Sequence, residues 1–154
     1  MTPPAPHAAL PADRAAITAL IPHQGSMCLL ERVLSWDARE IVAASATHRD
    51  PAHPLRGAAG LRAVHLCEYG AQAAALHGGL VAQATGGRAP PGLIVSLRDV
   101  KLGRAFIHDL PGELMVRAQL LLAGDAGTQY SFEVSHQGQV IAGGRVAIMR
   151  RQGP

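Results

Sequence analysis

A chain of 154 residues, 48% apolar and 16% charged, is long enough to bury one core without staples and too apolar to remain disordered. Its two cysteines, Cys28 and Cys67, stand in apolar runs with no C-x-x-C and no Cys/His zinc spacing, so they read as buried thiols of a reducing compartment and no metal site is expected. The formal charge of +3 rests on basic residues that are arginine at all but one position, yet aromatics make up 3%, too few to stack nucleic-acid bases. A solvated surface or an acidic protein partner accounts for that charge instead.

Residues 1–14, rich in Pro and Ala, are expected to form a flexible arm ahead of a single domain over 15–154. The start lacks a basic segment followed by an apolar stretch, and no run reaches the ~18 apolar residues of a membrane span, so a cytoplasmic location is the expectation. Ala15 to Ile21 suits a short helix that Pro22 stops. Met27 to Leu34 (MCLLERVL) and Glu40 to Thr47 (EIVAASAT) read as a strand pair with SWDAR between them. A loop crowded with Pro, Gly and His leads into residues 61–84, whose length and Ala/Leu content predict a helix. That helix is apolar nearly all round and should therefore be buried. Gly86-Gly87 end it, with Gly78-Gly79 as an earlier stopping point. Strands follow at GLIVSLRDVKL, GELMVRAQLLLA, TQYSFEVSH and QVIAGGRVAIM, the last two as a hairpin about Gln137-Gly138. One buried helix among six strands predicts an α+β domain with a curled antiparallel sheet wrapped around the helix.

On the predicted helix His65, Glu68 and Gln72 share a face. A carboxylate on a buried helix is neutralised, hydrogen-bonded or used, so Glu68 pairs with a neighbouring arginine, caps loop amides, or serves as a general acid with a pKa raised by burial. His53, in the loop before the helix, and His23, in I-P-H-Q-G-S-M, are the candidate bases, with His48 and His65 behind them. Gly57 and Gly60 allow close backbone approach to a ligand, and helix-start amides suit a ligand oxygen that gains charge. No nucleotide-binding glycine motif and no G-x-S-x-G occurs, so no cofactor is expected.

Read in order, these segments resemble the hot-dog-fold 3-hydroxyacyl-[acyl-carrier-protein] dehydratases across about residues 18 to 149. I-P-H-Q-G-S-M-C-L-L-E-R-V-L is similar to that family's L-P-H-R-x-P-x-L-L-x-D-R-V, and E-Y-G-A-Q-A-A to its E-A-L-A-Q-A-A. V-K-L-G-R-A-F-I-H-D-L-P-G-E-L resembles the stretch that ends in P-G-D-x-L. G-L-R-A-V-H-L-C-E-Y-G-A-Q most resembles the ApeP-like branch of aryl-polyene clusters, whose helix opens G-L-P-x-W and continues E-Y-M-A-Q.

The resemblance implies a dimer, homomeric or with a related hot-dog subunit, and an active site across its interface. It also implies that a loop His removes the C2 proton of a 3-hydroxyacyl thioester while a helix carboxylate helps the C3 hydroxyl leave. Glu68 matches the carboxylate position, with Gln72 four residues on. The family's G-H-F-P-x-x-P-x-x-P-G is not intact here; His53 precedes Glu68 by fifteen positions instead of fourteen, and Ala63 aligns with the glycine that opens the family helix. His53 is thus the first candidate base and His23 the second, with Gln72, Gly60, Ala63 and His65 expected at the substrate. Arg49, Arg56 and Arg62 are candidate contacts for an acidic carrier protein. Two other readings stand beside dehydration: an acyl thioesterase, and a non-catalytic acyl-binding partner subunit.

Overall fold

A computed structural model of the protein describes residues 10–89 and 92–150. The first nine residues of the expected arm lie outside the described residues. From Leu10 onward the chain is anchored: Pro11 is buried, its carbonyl accepts the Val33 N–H at 2.7 Å, and Asp13 caps the helix that follows. That helix, α1 (Arg14–Thr18), is shorter than the expected segment and buries Ile17.

The strands are β1 (Arg32–Trp36), β2 (Glu40–Ser45), β3 (Gly92–Leu102), β4 (Leu114–Ala123), β5 (Gly127–His136) and β6 (Gln139–Arg150). They form one antiparallel sheet in the order β1-β2-β4-β5-β6-β3, curled but not closed, so β1 and β3 are its edges. The long helix α2 (Leu66–Ala84), entered through a 3-10 turn at Ala63–His65, lies in the curl. Fully buried Leu66, Tyr69 and Leu76 of α2 meet Ile41, Leu114 and Phe132 from the sheet in one core. Gly70 lets the helix and sheet approach closely: a Cβ there would sit 2.3 Å from the Phe132 ring. The helix runs through Gly78-Gly79 and stops where Gly86, at φ +82°, turns the chain and the Gly87 N–H closes on the Ala82 carbonyl.

One expected strand differs. Residues 25–27 form a 3-10 turn and β1 begins only at Arg32. Cys28, Leu29 and Leu30 are buried, but the Leu29 peptide bonds side chains of α2, β2 and the segment after β2 in place of a neighbouring strand. Apolar content there reports burial rather than a sheet ladder.

Candidate active site

Glu68 stands in the first turn of α2, where the helix dipole favours a carboxylate. Its Oε1 lies 3.1 Å from His23 Nε2, and both side chains remain about a quarter exposed, at 27% and 28%. Gln72, one turn on, donates from Nε2 to the same Oε1 at 3.0 Å and to the Met27 carbonyl at 2.6 Å, while its Oε1 accepts the Leu29 N–H at 2.9 Å. One buried amide therefore ties the carboxylate to the segment that carries His23. The His23 hydrogen bond, with help from Gln72, holds the Glu68 carboxyl below its ordinary value against the opposing pull of burial. This corrects the expectation of a raised Glu68: in the isolated chain it is a carboxylate at neutral pH, suited to accepting a proton.

His53 occupies a different setting. It is 5% exposed; its Nδ1 accepts the Leu55 N–H at 3.1 Å and its Nε2 lies 3.0 Å from the Tyr69 hydroxyl. With Nδ1 accepting, neutral His53 donates from Nε2 to Tyr69, whose hydroxyl donates to Thr47 Oγ1 at 2.7 Å. Thr47 in turn donates to the Leu29 carbonyl at 2.8 Å. Burial, then the charge of nearby His65, pushes His53 below its ordinary value. No hydrogen bond or ion pair joins His53 to Glu68 within the chain, among the described residues.

Three expected substrate contacts are engaged elsewhere. Gln72 is wholly buried and bonded to Glu68 and to the Met27 and Leu29 backbone. The N–H of Ala63, a residue expected at the substrate, donates to the Ala105 carbonyl at 2.8 Å. Gly60 sits at φ +121° with its N–H on the Gly57 carbonyl, and a Cβ there would fall 2.0 Å from the His108 ring, so His108 demands the glycine. His65 is half-buried at the start of α2 and makes no side-chain hydrogen bond among the described residues.

Reading the sequence missed Tyr69, Thr47 and Ser45 as a polar cluster around the Leu29 carbonyl. Their signal was present: Ser45 and Thr47 stand two apart at the end of a strand, where alternate residues share a face. It also missed His77, buried in mid-helix between the Tyr130 hydroxyl (2.7 Å) and the Asp37 carbonyl (2.8 Å). Burial pushes Tyr130 up to about 12 and His77 below its ordinary value, which marks a neutral structural pair. Among the described residues no group of three His, Cys, Asp or Glu gathers to hold a metal, and no helix is long and apolar enough to cross a membrane.

A long helix seated in a curled, open antiparallel sheet, with a carboxylate in its first turn, places the protein in the hot-dog fold class. Over residues 15–153 the chain matches the ApeP-like family, described as ApeP dehydratase, and it belongs to that family. Among solved structures it is similar to the dehydratase heterocomplex ApeI:P from Xenorhabdus doucetiae, with a TM-score of 0.79 and 23% identity over 88% of this chain and 91% of that one. A hypothetical thioesterase protein with coenzyme A from Streptococcus pneumoniae matches at TM-score 0.55 and 12% identity, over 77% and 84% of the two chains. A mutant hypothetical protein from Staphylococcus aureus matches at 0.54 and 13%, over 77% and 93%. At these identities the structural likeness speaks for the fold. No curated protein sequence matches the chain.

Proposed function

We propose that this protein takes part in eliminating water from a 3-hydroxyacyl thioester, with Glu68 and His23 as its acid/base pair and a second hot-dog subunit completing the site. The observation that carries the reading is the 3.1 Å contact between His23 and Glu68 at the start of α2, where both side chains stay reachable. Glu68, as a carboxylate, accepts the C2 proton of the substrate, and the electron pair left behind forms the C2–C3 double bond. The C3–O bond breaks, protonated His23 gives its proton to the departing hydroxyl, and water leaves. The proton on Glu68 then crosses to His23 and restores the pair. His53, its nitrogens both engaged, supports the fold beside the site in this reading.

The need for a partner rests on β3. This edge strand is eleven residues long and leaves Leu93, Ile94, Val95, Leu97, Val100 and Leu102 38–56% exposed. An unpaired apolar edge of that length invites another strand, and a homodimer or a related subunit supplies one. Arg49 and Arg62, both exposed, and half-buried Arg56 offer charge to an acidic carrier protein near the site. Such a protein would act in the cytoplasm, where carrier-bound acyl groups meet reducing conditions.

Mass spectrometry of 3-hydroxyacyl carrier protein incubated with the wild type, alone and with a hot-dog partner, tests the reading. Loss of one water from the acyl group, abolished in Glu68→Ala, is the expected result; turnover undiminished in that variant overturns it. The ionised Glu68 also fits a second reading, a thioesterase in which the carboxylate activates water, and release of free acid would select it. Intact substrate under every condition would leave an acyl-binding subunit. Leu97→Asp should separate any complex formed through β3, seen as a fall in mass by light scattering.

A further inference from the structure

The His23 ring makes one hydrogen bond, to Glu68, and its Nδ1 is buried with no partner among the described residues. One contact does not set the position of an imidazole, so the backbone beneath it must. That backbone is gripped from two directions. From inside, Gln72 holds Met27 and Leu29. From outside, Arg14 of α1 donates from Nη2 to the Gly25 carbonyl and to the Cys28 carbonyl, each at 2.8 Å. These carbonyls bracket the 3-10 turn at Gly25–Met27, whose own closing bond, Cys28 N–H to Gly25 carbonyl, is 3.1 Å. The Gln24 side chain adds a tie back to the Thr18 carbonyl at 3.0 Å.

The outer grip has a firm base. Asp13 caps α1 through the Ala16 N–H at 2.8 Å, Ile17 is fully buried, and the chain just ahead is joined to β1 at Val33. The Leu20 carbonyl lies where a Cβ at position 79 would come within 2.7 Å, so Gly79 lets this segment dock on α2. Arg14 is otherwise an exposed side chain in no ion pair among the described residues. Its guanidinium is planar and fixed, which suits one group bridging two carbonyls of a tight turn.

We propose that Arg14 is a positioning residue that holds His23 against Glu68, making α1 part of the machinery that aligns the site. The proposal rests on the reading of His23 and Glu68 as the reacting pair, so its test needs a readout independent of turnover. The full chain is compared as wild type, Arg14→Ala, Arg14→Lys and Arg39→Ala, the last a control that removes an exposed arginine from the β1–β2 turn. NMR follows the Glu68 carboxyl and the His23 ring through a pH titration, and turnover is measured beside it.

In Arg14→Ala the Glu68 titration midpoint should rise toward the ordinary carboxyl value as His23 drifts away, with kcat down about tenfold and KM nearly unchanged. Arg14→Lys should fall between that variant and the wild type, and Arg39→Ala should match the wild type. An Arg14→Ala protein whose Glu68 midpoint and His23 signals equal the wild type's overturns the positioning role, whatever its activity. A shifted midpoint with unchanged turnover would uphold the positioning of His23 and overturn the pair's part in catalysis.

Discussion

Glu68 and Tyr69 are consecutive residues of one helix, each bonded to a histidine, and the two histidines sit in opposite surroundings. On the Glu68 side the imidazole is partly exposed and faces a carboxylate, with a buried Nδ1 that has no partner among the described residues. On the Tyr69 side it is buried, both nitrogens are engaged, and the chain of hydroxyls beyond it ends on the Leu29 carbonyl. A helix turns about 100° per residue, so neighbouring positions can face a reachable site and a sealed core. The two histidines differ in reach: His23 keeps a partly exposed ring against a carboxylate, whereas His53 is buried and held at both nitrogens.

The sharpest way to break that comparison is to remove each helix residue in turn. Glu68→Ala should keep the fold and lower dehydration by about a hundredfold or more, the usual scale for a lost acid/base group; a rate within a few-fold of wild type would contradict the assignment. Tyr69→Phe should do the reverse. It leaves the His53 N–H and the Thr47 hydroxyl short of a buried partner, which costs about 1–3 kcal/mol, read as a lower urea midpoint with turnover per folded molecule retained. An unchanged midpoint would mean that the hydroxyl chain adds nothing to stability.

A smaller effect should appear with pH. Burial holds His48, His53 and His77 below their ordinary value, so the unfolded chain takes up protons that the folded one refuses. Their contribution is complete above pH about 6.5, the unfolded value, and is lost as pH falls through the folded values. Glu68, also depressed, adds the same trend in a lower, carboxyl window. Urea midpoints should therefore drop between about pH 7.5 and about pH 5.5, and a flat profile would argue against neutral buried imidazoles.

Much of the scaffold was legible because it is local. Alternation and turn residues placed β3, β5 and β6 within a residue or two of their ends, and helical spacing joined Glu68 and Gln72, while His65 falls in the 3-10 turn ahead of α2. The link from Gln72 to Leu29 spans 43 positions and leaves no mark in either segment, so the bonding that occupies both ends of the Gln72 amide was not legible. Gly60 reads as a ligand-facing glycine for the same reason, because the His108 ring that requires it lies 47 positions beyond its neighbour Leu61. Burial of Cys28 to Leu30 was visible as apolar content, whereas the bonding of Leu29 to side chains in place of a strand was not.

The central claim, that His23 rather than His53 works with Glu68, is tested most directly by measuring dehydration in His23→Asn and His53→Asn side by side, with rates normalised to the folded fraction. The account predicts a large loss of turnover with preserved stability for His23→Asn, and weakened stability with near-normal turnover per folded molecule for His53→Asn. The opposite pattern, a stable and inactive His53→Asn beside a fully active His23→Asn, would contradict it.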